Sequence, residues 1–138
     1  MKEYKTGALT ITLRPDGIVH ASNNEDWTDP DTLTTIKKDI AAIKEVFGGQ
    51  PNRAILFEVP NRHIEKKLLD CYQAAEWGEV ARALLLTSYG AKVIGNLYLK
   101  LSKEKPNEAG RIVPMKLFTK KEVAEAWLFE QIDAAENK

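Results

Sequence analysis

Few side chains in this sequence have types and neighbours suited to chemistry, and most of them fall where an apolar run gives way to a helical pattern. Ser88 directly follows the apolar stretch Val80–Thr87 and precedes a run of helical periodicity. It is therefore expected at the carboxyl edge of a parallel sheet, where open α/β sheets bind ligands. His63 follows the apolar run Ala54–Val59 and is expected on the same edge, one strand away. A serine and a histidine so placed would be the start of a nucleophilic pair. The surrounding Leu86-Thr87-Ser88-Tyr89-Gly90 lacks the first glycine of a nucleophile elbow, and no carboxylate can be assigned to orient the imidazole. The simpler role for Ser88 or Thr87 is to cap the following helix, which stabilises it by about 1 kcal/mol.

Metal chemistry is no better supplied. His20 and His63 are the only histidines, and they lack the i, i+4 spacing that sets two ligands on one helix face. Asp26, Asp29 and Asp31 have neither the turn glycine nor the terminal glutamate of a calcium loop. Cys71 is the one cysteine, so no internal disulfide and no thiolate metal cluster can be built. No cofactor is expected. What remains is a polar patch, Asn61-Arg62-His63 with Thr87-Ser88-Tyr89, near two helix N-termini whose free N–H groups would attract an anion.

The elements that must position this patch are legible in outline. Leu9, Ile11 and Leu13 alternate with Thr10 and Thr12, Pro15-Asp16-Gly17 makes a turn, and Ile18–Ala21 returns, which predicts a β-hairpin. Trp27-Thr28-Asp29-Pro30 is expected to open a helix, with Thr28 or Asp29 as its cap. Leu33, Ile36, Ile40, Ile43 and Phe47 would form its inner stripe, and Gly48-Gly49 its end. Ala54–Val59 reads as a buried strand. A second helix follows, with Ile64, Leu68, Cys71, Tyr72 and Ala75 inward and Gly78 just beyond its end. Val80–Thr87, interrupted only by Arg82, is expected to be the central strand. The next helix should bury Ala91, Ile94, Leu97, Tyr98 and Leu101. After the polar connection Ser102–Pro114, Met115–Phe118 reads as the last strand. Thr119 and Glu122 form the pattern of a capping box ahead of a helix lined by Val123, Ala126 and Trp127.

Strands alternating with helices predict an α/β fold: an initial β-hairpin followed by β-α units forming a mostly parallel sheet. At 138 residues the chain is expected to be one domain. Twenty basic and twenty acidic residues cancel, so nucleic acid and anionic membranes are not expected partners. No apolar run is long enough to span a bilayer, and Met1-Lys2-Glu3-Tyr4-Lys5 does not open a secretory signal, which leads to a cytoplasmic expectation. Trp127, Leu128 and Phe129 cannot all point inward from one helix, so one of them, Leu128 or Phe129, is expected to be exposed or to meet a second copy in a homodimer.

The element order resembles the STAS fold (sulfate transporter and anti-sigma-factor antagonist). Leu84–Ser88, Ile94–Lys100, Lys116–Thr119 and Ala126–Leu128 resemble a group of small STAS-like proteins of unassigned function. That resemblance implies a non-enzymatic regulatory or protein-interaction module whose sheet edge meets a protein partner or a small anionic ligand. Anti-sigma-factor antagonists carry a phosphorylated hydroxyl where the third strand gives way to its helix. Here the junction reads Val59-Pro60-Asn61-Arg62-His63, with no hydroxyl. The alternatives are a small-molecule or lipid carrier, and a hydrolase built on Ser88 and His63.

Overall fold

The computed structural model describes residues 2–62 and 64–137. Its strands are β1 (Lys2–Lys5), β2 (Leu9–Leu13), β3 (Ile18–Asn23), β4 (Ala54–Glu58), β5 (Arg82–Leu85) and β6 (Met115–Phe118). Its helices are α1 (Leu33–Phe47), α2 (Lys66–Ala74), α3 (Tyr89–Ser102) and α4 (Lys121–Glu136). The six strands form one sheet in strict chain order. β1 with β2 and β2 with β3 pair antiparallel, and β3 to β6 run parallel. The α/β architecture, with a hairpin leading into successive β-α units, is as expected.

Alternation along the strands divides the core in two. Val19, Ile55 and Leu84 face α1, α2 and α3 on one side. Ile18, Leu56 and Leu85 face α4 on the other, where Ala54, Ala81 and Ala83 let the helix sit close. Three crossover helices on one face follow from right-handed connections that all advance in the same direction across the sheet.

Several local expectations need correction. β1 was not anticipated: Lys2-Glu3-Tyr4-Lys5 has no apolar alternation and is a strand because it pairs with β2. β5 lies one strand from the edge, with β3 and β4 at the centre. Its continuous apolar character reflects cover on both faces. The first helix begins at Leu33, capped by Thr32 and not by Thr28 or Asp29. Thr32 and Thr35 form a reciprocal capping box, each side chain accepting from the other's backbone N–H at 3.2 and 2.9 Å. Gly48 ends the helix at φ +60°, as expected. The Thr119–Glu122 box does not form: Lys120 is the N-cap, and it contributes no side-chain bond.

On α3, Gly95 is buried while Leu97 is turned outward. A Cβ at Gly95 would lie 2.5 Å from Leu86 Cδ2, so the glycine makes room for the strand residue. On α4 the inward line is Ala124, Leu128 and Ile132, at four-residue steps; Val123 and Ala126 are exposed. Leu128 is fully buried against the chain's own sheet, which removes it from the expected dimer surface. Trp127 is half-buried beside Phe118, with ring centroids 5.6 Å apart, and only Phe129 faces solvent appreciably.

Arg82, the interruption in the apolar run, is buried and fully engaged. Nε donates to Glu79 Oε2 at 2.8 Å, Nη1 to the Tyr72 carbonyl and the Tyr98 hydroxyl, and Nη2 to the Ala75 carbonyl. Its guanidinium carbon also lies 4.4 Å from the ring centroid of Trp77. Glu79 is itself inaccessible, and its second oxygen accepts from Arg111 Nη2 at 2.9 Å. Arg111 also grips Glu76, so the 103–114 connection is tied to the end of α2. Arg82→Met leaves the buried Glu79 carboxylate with Arg111 as its remaining cation and takes the guanidinium donors away from the Tyr72 and Ala75 carbonyls and the Tyr98 hydroxyl. A loss of about 3–5 kcal/mol is expected in denaturant unfolding. Adding Glu79→Leu to Arg82→Met should recover part of it, whereas a double variant no more stable than the single one would deny the coupling.

Candidate functional site

The carboxyl ends of β3 to β6 lie along one edge, and the expected polar patch assembles there. Val59 N–H donates to the Leu85 carbonyl at 3.0 Å, which holds the β4–α2 loop beside the start of α3. Asn61 reaches across this junction: a Cβ at Gly90 would fall 2.0 Å from its Oδ1. Glycine at position 90 is thus what lets the two segments approach. Ser88 sits in extended geometry at the α3 N-cap, and its hydroxyl accepts the Ala91 N–H at 3.1 Å. That is the capping role. Thr87 is exposed and Tyr89 is 83% exposed, so its ring is offered to solvent. His63 lies outside the described residues.

Arg62 is not a free cation. Its Nε and Nη2 donate to the two oxygens of Asp31 at 2.7 and 3.1 Å, a bidentate pair with the Asp31 side chain buried. Among the aspartates at positions 26, 29 and 31, this gives Asp31 a structural partner in place of a metal. No cluster of potential ligands able to hold a metal ion occurs among the described residues.

Under the patch, between the sheet and the helices α1, α2 and α3, is a narrow cavity of about 40 Å³. Its walls are mostly apolar, including Ile36, Phe57, Leu69 and Ile94, and its polar lining residues include Asn23, Asp31, Asp39, Arg62 and Arg82. Burial pushes the Asp39 carboxyl up to about 6. A hydrogen bond from Thr6 and the nearby Arg62 charge oppose that rise, and the negative charge of Asp31 adds to it. Asn23 Nδ2 donates to the Glu58 carbonyl at 2.7 Å, while its buried Oδ1 has no partner among the described residues. A space of this size holds a few waters. It is far too small for an acyl chain.

A second constellation went unread in the sequence. His20 Nε2 and Glu58 Oε2 are 2.5 Å apart on adjacent strands, on the α4 side of the sheet. The hydrogen bond to His20 holds the Glu58 carboxyl below its ordinary range against the opposing effect of burial, with Lys121 adding a weaker pull. The signal was available only in register: the Cα atoms of His20 and Leu56 are partners, and Glu58 is two residues further along on the same face. The pair is an acid–base couple on a broad polar sheet face, beside the Cα partner of His20, Thr12, and near Ser22.

Comparison with known protein families, with curated proteins and with solved structures yields no match for the chain. No helix among the described residues is long and apolar enough to cross a membrane.

The Asp39 environment makes a signed prediction. Folding raises this carboxyl from 3.8 to about 6, so the native state holds the proton more tightly than the unfolded chain does. The group's contribution is most favourable below about pH 4, declines as pH rises to about 6, and is constant above. Asp39→Asn removes the dependence. The stability of the native chain minus that of the variant, from denaturant melts, should fall between pH 4 and 6. A flat difference would mean that Asp39 is solvated in solution.

Proposed function

We propose that the chain is a regulatory or protein-interaction module of STAS-like kind, with no chemistry of its own, that meets a protein partner at the carboxyl edge of its sheet. The observation that carries this reading is the exposed apolar line that starts at that edge. Tyr89, Val93 and Leu97, spaced four residues apart on α3, are 83%, 52% and 36% exposed. An aromatic anchor continuous with aliphatic side chains and bordered by polar Asn61 and Thr87 has the composition of a protein-binding patch. The Arg62–Asp31 pairing favours a protein over a small anion as the partner, because the one described cation of the patch is already neutralised.

The carrier reading draws on the cavity beneath the patch, and its volume of about 40 Å³ weighs against a lipid. The hydrolase reading would need Ser88 as a nucleophile, and the Ser88 hydroxyl is engaged at the α3 N-terminus.

The test is photo-cross-linking in cells from a reactive aromatic side chain at position 89, with Lys37 on α1 as the control position. Discrete adducts from position 89, abolished by Val93→Asp, are the expected result. The same adducts from both positions, or adducts indifferent to Val93→Asp, would remove the patch as a binding surface.

A further inference from the structure

A separate surface lies at the far edge of the sheet, and its argument does not depend on the Asn61–Tyr89 patch. β6 is the last strand, paired with β5 on one side only. The carbonyls of Pro114 and Phe118 accept from Arg82 and Leu86, each at 2.8 Å. By strand alternation, the backbone N–H and C=O groups of Met115 and Leu117 point away from β5, as open positions for another strand. At the carboxyl end of β6 is an open groove of about 260 Å³, lined by Leu86, Leu117, Phe118, Thr119, Lys120 and Val123. Val123 is 52% exposed, and Ile112, just before the strand, is 58% exposed. Apolar side chains are thus offered at both ends of a backbone ladder that has one vacant side.

The charge around this edge is one-sided. Lys116 and Lys120 are exposed and form no ion pair among the described residues; Lys116 instead lies 5.7 Å from the Phe118 ring centroid. Glu122 is the acidic residue in the first turn of α4, where no side chain caps the helix N-terminus. A chain with zero net charge therefore has a locally basic edge here. A second copy pairing antiparallel about the middle of β6 would bring the two Lys116 side chains together, which disfavours self-association.

We propose that this edge binds an extended acidic segment of a partner protein by strand addition, with one apolar side chain seated in the groove beside Val123. Backbone bonds to Met115 and Leu117 supply register, carboxylates meet Lys116 and Lys120, and the groove selects the anchor. The partner is an extended peptide segment that carries acidic residues and one apolar anchor.

The experiment is selection of a displayed random decapeptide library on the folded protein, followed by binding and hydrogen exchange with the strongest synthetic peptide. The expected result is enrichment of acidic sequences that keep an apolar residue at one position, with slowed exchange at Met115 and Leu117 and affinity that falls as salt rises. Lys116→Glu with Lys120→Glu, and separately Val123→Asp, should weaken binding at least tenfold. All three positions are exposed, and the new acidic groups at positions 120 and 123 lie at the α4 N-terminus where negative charge is favourable, so both variants should unfold at a temperature no lower than the parent chain. The proposal is overturned if no sequence class is enriched, if the enriched peptides lack acidic residues, or if protection appears away from β6. Protection of β6 that instead tracks a concentration-dependent dimer would assign the edge to a second copy.

Discussion

A single buried cation organises one half of this molecule. Arg82 begins β5 with its side chain on the face occupied by α2 and α3, and it bonds to groups from the end of α2, the following turn and α3. An arginine in such a place is costly to dehydrate, and it is tolerated because four of its five N–H groups are taken and Glu79 supplies the opposite charge. Glu79 then passes the constraint on to Arg111. The 103–114 connection, which has no regular structure of its own, is thereby fixed at the point from which β6 departs. The apolar packing of the same region, where Phe47, Trp77 and Tyr72 meet ring to ring, is arranged around this polar centre.

The features that follow from local periodicity were legible in the sequence. The alternation at Leu9–Leu13 and the turn at Pro15–Gly17 mark the hairpin, and the stripe through Ile36, Ile43 and Phe47 marks α1. What was not legible depends on partners remote in the chain. Lys2–Lys5 is a strand only because β2 offers it a ladder. α4 turns Leu128 inward and Val123 outward because the small side chains of β4 and β5 fix how the helix sits, and no helical period reports that. Arg82 looks like an interruption until Glu79, Tyr98 and Trp77 are brought around it.

The candidate site divides in the same way. Placement of Asn61–Arg62 and Thr87–Tyr89 at one sheet edge follows from the rule that successive parallel strands lie side by side, and it could be read in advance. Their chemistry could not. The Arg62–Asp31 pair spans thirty-one positions, and it turns an apparent anion site into a neutral rim. Likewise His20–Glu58 depends on the register between β3 and β4. The exposed line on α3 depends on Gly95 taking the buried position and Leu97 the outward one, which helical periodicity does not distinguish.

The strict 1-2-3-4-5-6 order of the sheet also bears on how the chain folds. Each strand pairs with the one made just before it, so no strand must wait for a distant segment to fill a gap in the sheet. During synthesis, β1 to β3 can close as a meander, and each later β-α unit can then add to an edge that already exists. Sequential pairing keeps each parallel separation to that of one β-α unit, shorter than a permuted strand order would impose. Every such crossover still closes a long loop before its contacts form. It also means that every intermediate sheet has a newly exposed edge, with the next segment of the same chain as its nearest candidate to cover it.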